Sequence, residues 1–126
     1  MVGPRIRVTT SVNRILWPRL MALGFRLHFA EDGPRWKEGA VIDRNGRNGQ
    51  DQGLLMGRDK FGHRFGLNIS KQRPDGTFEW LNLESVGIPY SSLTYKTQEE
   101  LDLLLGRLAD AFEQIIVPWL DKEPHA

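Results

Sequence analysis

Apolar residues along this chain recur first at helical spacing, then in alternation, and then at helical spacing again. Between Thr10 and Leu23 they recur every three or four residues, which is the pattern of one buried helix face. Pro18 lies inside this stretch, and an interior proline removes a backbone hydrogen bond, so we expect a kink or the start of a second short helix there. Gly24 stands where a glycine commonly terminates a helix.

The middle of the chain alternates apolar and polar residues, as half-buried β-strands do. Strands are predicted at residues 25–29, 35–42, 54–58, 64–70 and 78–83, with a further edge segment at 92–96. Residues 43–53 contain two Asn-Gly steps and no apolar residue. This composition predicts an exposed, mobile loop.

The last third of the chain predicts a long amphipathic helix. Thr97 and Glu100 form a capping-box sequence, in which each side chain bonds the first turn. From Leu101 to Trp119 the apolar residues form one continuous stripe. Pro118 predicts that the helix ends or kinks close to that position.

Strands grouped between two terminal helices are typical of an α+β fold. We therefore predict an antiparallel sheet of about four to five strands, with an N-terminal helix and a long C-terminal helix packed on one face. A length of 126 residues fits a single domain, 1–126. The ends, 1–9 and 121–126, are predicted to be flexible.

Charge is balanced over the whole chain but unevenly distributed. The sequence has 17 Lys and Arg against 16 Asp and Glu. Residues 44–73 are strongly basic and residues 74–126 strongly acidic. No signal-peptide core and no apolar run of membrane-spanning length is present, so we expect a cytoplasmic protein without a membrane partner.

Candidate chemistry is sparse. The absence of cysteine excludes disulfides, thiolate catalysis and cysteine-ligated zinc. The histidines, His28, His63 and His125, lack metal-ligand spacing, and the serines lack a nucleophile-elbow context. We therefore predict no catalytic residue, metal or cofactor, and the interpretation favours a non-enzymatic role while leaving an enzyme open.

Binding candidates come from two sources. The predicted hairpin at 54–73 is basic and carries an aromatic residue at its tip, a combination that suits phosphates and bases. Tryptophan is favoured at interfaces, and the acidic end of the chain could meet a basic partner. The candidates for partner binding are Trp36, Arg58, Lys60, Phe61, Arg64, Lys71, Trp80 and Glu84.

Three segments resemble a family of bacterial proteins called domain of unknown function 4304. Residues 16–25 are similar to its opening helix followed by Leu-Gly-Phe. Residues 54–69, with Phe65-Gly66-Leu67-Asn68-Ile69, are similar to its central hairpin, and residues 101–120 to its closing helix. The resemblance implies a bacterial binding protein, because some relatives are thought to act as immunity proteins against toxins. It supplies no functional residues.

Three functions remain open at this point. The first is a protein-binding, immunity-type module whose partner is a toxin. The second is a nucleic-acid-binding module that uses the basic hairpin at 54–73. The third is a small-molecule binder or enzyme with a pocket between a helix and the sheet.

Overall fold

Within the residues that the structure describes, the protein folds into two helices and a five-stranded antiparallel sheet. The computed structural model describes residues 5–29, 33–45, 51–59 and 63–122. Helix α1 spans residues 8–22 and helix α2 spans residues 98–121. The strands are β1 Arg26–Leu27, β2 Ile42–Asn45, β3 Asp51–Arg58, β4 Phe65–Gln72 and β5 Phe78–Trp80, and they pair in that order. The predicted α+β class is confirmed.

Alternation along β3 and β4 separates the two faces of the sheet. Leu54 pairs with Ile42 on one side and with Ile69 on the other, and all three side chains are buried. Direct cross-strand partners share a face, so this row belongs to the core. Both helices pack on this face, where Phe25 meets Phe112 of α2 edge to face at 5.6 Å. The opposite face has no helix on it among the described residues.

Both helices contain a proline, and both remain helical through it. In α1 the π turn Val12–Leu16 precedes the segment Trp17–Ala22, in which Pro18 is an early residue. In α2 the π turn Phe112–Ile116 precedes Val117–Asp121 in the same way. A π turn shifts the hydrogen bonds by one residue where proline provides no N–H. The helix therefore does not end at Pro118.

The helix ends follow local chemistry. Thr97 is the N-cap of α2, and its Oγ1 accepts the Glu100 N–H at 3.1 Å, as predicted. Helix α1 begins after Arg7, which makes no side-chain cap. At its other end Gly24 has φ +96°, and the N–H of Phe25 bonds to the carbonyl of Leu20. This is a Schellman motif, and it confirms the predicted glycine terminator.

Three predicted segments differ from the structure. Residues 43–53 were predicted to form a loop, but residues 43–45 and 51–53 pair as strands. The hydrogen-bonded ladder of β2 and β3 continues past their apolar residues. Residues 46–50 lie outside the described part of the chain. Residues 35–41 form no strand, since Gly39 with φ +85° lies in a turn. The predicted edge segment at 92–96 consists of a 3-10 turn, Tyr90–Leu93, and one bridge between Arg64 and Thr94.

The predicted flexible ends are only partly within the described residues. Val8 and Thr9 already belong to α1, and Asp121 is the last residue of α2. Residues 1–4 and 123–126 are outside the described range. Within that range, neither helix has the length and apolar content needed to cross a membrane.

Candidate functional site

The buried Lys71 binds the C-terminal end of helix α2. Its Nζ donates to the carbonyl of Trp119 at 2.7 Å and to that of Lys122 at 3.2 Å, and lies 4.0 Å from the Trp119 ring centroid. Burial lowers the pKa of Lys71. A cation at a helix C-terminus offsets the helix dipole. Lys71 was predicted to bind a partner, but the fold buries its side chain and binds its ammonium group.

Arg44 connects the C-terminal ends of both helices. Its Nε donates to the carbonyl of Leu23 at 2.7 Å, and its Nη1 donates to Asp121 Oδ1 at 2.8 Å and to Gln52 Oε1 at 2.7 Å. Gln52 in turn donates to the carbonyl of Leu120 at 2.8 Å. The sheet therefore supplies the polar groups that satisfy the last turns of the helices.

Two further arginines of the hairpin, Arg64 and Arg73, also bind groups of the fold. Arg64 forms an ion pair with Asp59 at 2.6 Å and lies over the Tyr90 ring. Arg73 donates to the carbonyl of Phe78 at 3.0 Å within its own turn. Among the described basic residues of the segment 44–73, Arg44, Arg64, Lys71 and Arg73 are therefore bound to other groups of the fold.

Acidic side chains of α2 bind basic side chains of α1. Asp102 accepts from Arg14 at 2.8 Å, and Asp110 and Glu113 both contact Arg19, at 2.8 and 3.0 Å. These contacts join residues about 90 positions apart. Part of the acidic end of the chain is thus paired with arginines of α1.

Trp36 belongs to the core. Its indole is fully buried, and its backbone makes two 2.8 Å hydrogen bonds with the side chain of Asn13: its N–H donates to Oδ1 and its carbonyl accepts from Nδ2. Trp36 was predicted to bind a partner, but its side chain has no exposed surface in this fold.

The remaining candidates are dispersed. Lys60 and Phe61 lie outside the described residues. Arg58 pairs with Phe65, so it stands on the helix side of the sheet, at its end. Glu84 lies on an exposed 3-10 turn, Glu84–Val86. Of the candidates, Trp80 is the one that the structure places on the uncovered sheet face.

The uncovered face of the sheet combines exposed apolar side chains with a floor of small residues. We call it the outer face and define it by Gly53, Leu55, Gly57, Gly66, Asn68, Ser70, Phe78 and Trp80. Trp80 is 61% exposed, Phe78 45% and Leu55 43%. Trp80 stands opposite Ser70, which pairs with Gly53 on its other side. The exposed Trp80 therefore stands beside a part of the sheet surface that has no large side chains, at Ser70 and Gly53.

A groove of about 450 Å³ continues this face toward the segment before β2. Its lining includes Leu55, Gly57, Gly66 and Asn68 from the sheet and Glu38 from that segment. Leu55 and Phe78 were not recognised as candidates from the sequence. The signal that could have found them is strand parity, because it assigns them the same face as the glycines.

Comparison of the chain with protein-family models, curated proteins and solved structures finds no match. The resemblance to the bacterial family therefore stays a prediction. In the described residues, no group of three or more His, Asp or Glu side chains has an arrangement that could bind a metal ion.

Proposed function

We propose that this chain is a protein-binding module that docks a partner protein on its outer face. The observation that carries the proposal is Trp80, which is largely exposed beside Phe78 on a sheet face that neither helix covers. Large aromatic side chains contribute disproportionately to protein interfaces. An exposed apolar cluster of this kind on a sheet is otherwise a liability for a folded chain.

The charges around this face favour a protein over a polyanion. Arg26, at one end of the outer row, is paired with Asp43 at 3.2 Å, and Arg64 is paired with Asp59. Binding of nucleic acid depends on cations that are free to replace counterions at phosphates. Paired arginines satisfy this requirement poorly, whereas an apolar protein surface needs only burial of Trp80, Phe78 and Leu55.

The specific form that we propose is an immunity-type protein of a bacterial cytoplasm, which blocks a toxin by covering part of its surface. The family resemblance supports this form. The partner's contact surface would present apolar side chains to fill the small-residue floor around Gly53 and Ser70, with a polar rim facing Asn68.

Co-expression with the product of the adjacent gene, followed by purification of the complex, tests the proposal. We expect Trp80→Ala to weaken the purified complex about 30-fold, the effect of losing a central aromatic contact. Titration calorimetry of wild type and variant against the partner measures this change.

Leu103→Ala is the matched control, because Leu103 is similarly exposed but lies on α2, away from the outer face. It should leave affinity unchanged. Equal affinity of the Trp80→Ala and wild-type chains would contradict docking on this face. Retardation of nucleic acid at low salt, without any protein complex, would favour the alternative module instead.

A further inference from the structure

A second concave site lies on the helix side of the molecule, at the first turn of α1. It has a volume of about 440 Å³, and its lining is formed by residues 5–10 together with Glu38 and Arg58. Three of its side chains are arginines: Arg5, Arg7 and Arg58. We call this site the arginine cavity. It adjoins the groove beside the outer face, because Glu38 and Arg58 line both, but it does not depend on the function proposed above.

The arginines of this cavity differ from the other cations of the sheet. Arg44, Lys71 and Arg64 all bind carbonyls or carboxylates of the fold. By contrast, within the described ranges, the guanidinium groups of the arginine cavity have no ion-pair partner, and Glu38 is the one acidic residue in its lining. Among the described residues, the lining of the cavity therefore carries three positive charges against one negative charge.

Backbone and hydroxyl donors border the same space. Helix α1 starts at Val8 without a side-chain cap, so its first N–H groups have no capping oxygen, and Thr9 and Thr10 add two hydroxyls. Planar guanidinium groups suit the geometry of phosphate oxygens, because they can donate two parallel hydrogen bonds.

Tyr95 has a buried hydroxyl group that lacks a hydrogen-bond partner among the described residues. Its side chain is 1% exposed, and no described residue offers its hydroxyl a hydrogen bond. Burial raises the pKa of this hydroxyl, and the charges of Arg58 and Glu38 act on it as well. Tyr95 does not line the cavity itself, but these two residues do. Buried polar groups without partners are uncommon and call for an explanation beyond packing.

We infer that the arginine cavity binds the phosphate group of a small phosphorylated molecule. Arg58 and Arg7 bind phosphate oxygens from two sides, and the first N–H groups of α1 complete the contact. A volume of about 440 Å³ admits a phosphate with an organic group attached.

Titration calorimetry of the full chain with inorganic pyrophosphate tests the inference. We expect saturable binding with one site, and Arg58→Gln and Arg7→Gln should each weaken it about tenfold through loss of a charge-assisted hydrogen bond. Arg107→Gln is the control, because Arg107 is an exposed arginine of α2 that does not line the cavity. Its affinity should equal that of the wild type.

Amide chemical shifts of the wild-type chain, measured with and without pyrophosphate, locate the binding site without any variant. Pyrophosphate should shift the amides of residues 8–10 and leave those of β5 in place. Absence of binding, an equal loss in the Arg107→Gln chain, or shifts confined to other residues would overturn the inference. Tighter, steeply salt-dependent binding of a single-stranded oligonucleotide would also overturn it, since that behaviour belongs to a polyanion surface.

Discussion

Asp102 shows how one carboxylate joins the two helices. Its Oδ1 accepts from Ser11 at 2.7 Å and from Gln98 at 3.0 Å, and its Oδ2 accepts from Arg14 at 2.8 Å. Burial alone would raise the pKa of Asp102, but these donors together lower it below its ordinary value. The sequence analysis placed Asp102 on the polar face of a helix. The pattern of one helix does not show which residues of another helix contact it, so the bonds of Asp102 to Ser11 and Arg14 could not be predicted.

Replacing Asp102 with Asn should make stability less sensitive to acid. Since the folded chain depresses this pKa, the carboxylate stabilises the fold above about pH 4 and loses that effect as the pH falls through the folded value. We expect Asp102→Asn to lower the free energy of unfolding by about 1–2 kcal/mol at pH 7. Urea unfolding at a series of pH values measures both effects.

Glu84→Gln, at an exposed turn, is the control and should have no effect at any pH. If the Asp102→Asn deficit stayed the same at pH 2–3 as at pH 7, then packing rather than charge would explain it.

At the scale of elements, local signals predicted the helices better than the strands. Gly24 and Thr97 act within one turn of their own position, so their capping roles could be recognised from the sequence alone. The π turns and the ladder at residues 43–45 and 51–53 depend on neighbouring segments. No apolar pattern marks them, and sequence periodicity could not predict them.

Two glycine substitutions should change stability in opposite directions. Gly24 needs a positive φ that alanine adopts at a cost, so Gly24→Ala should lower the free energy of unfolding by about 1 kcal/mol. Gly106 lies inside α2, and a methyl group added to it would point into open space. Gly106→Ala should therefore raise the free energy of unfolding by about 0.5–1 kcal/mol. Thermal and urea denaturation of the two variants measure the pair, and equal signs would contradict the assignment.

At the scale of the whole molecule, acidic residues of α2 pair with arginines of α1 and of β2. The sequence showed both charge blocks, and they suggested separate binding surfaces. Their pairing required the fold, since Arg44 and Asp121 are 77 positions apart. The tryptophans likewise could not be told apart from the sequence, because Trp36 and Trp80 both lie in predicted strands. In the fold Trp36 is buried and bonded to Asn13, whereas Trp80 is exposed.

The pair of Arg44 and Asp121 should couple more strongly than an exposed pair. Its side chains are 14% and 21% exposed, against 41% and 61% for Arg19 and Glu113. A double-mutant cycle to alanine should give a coupling free energy of about 1–2 kcal/mol for the first pair and below about 0.5 kcal/mol for the second. Equal couplings would show that burial of the first pair adds nothing.

The order in which the two charge blocks leave the ribosome gives this pairing a consequence for biosynthesis. Residues 1–73 contain 14 Lys and Arg against six Asp and Glu, and they are synthesised before the residues of α2. Until α2 emerges, Arg44 lacks its carboxylate partner, Asp121, and Lys71 lacks the carbonyl of Trp119. We therefore expect the nascent chain to carry a net positive charge beside ribosomal RNA until α2 emerges and its acidic residues offset that charge.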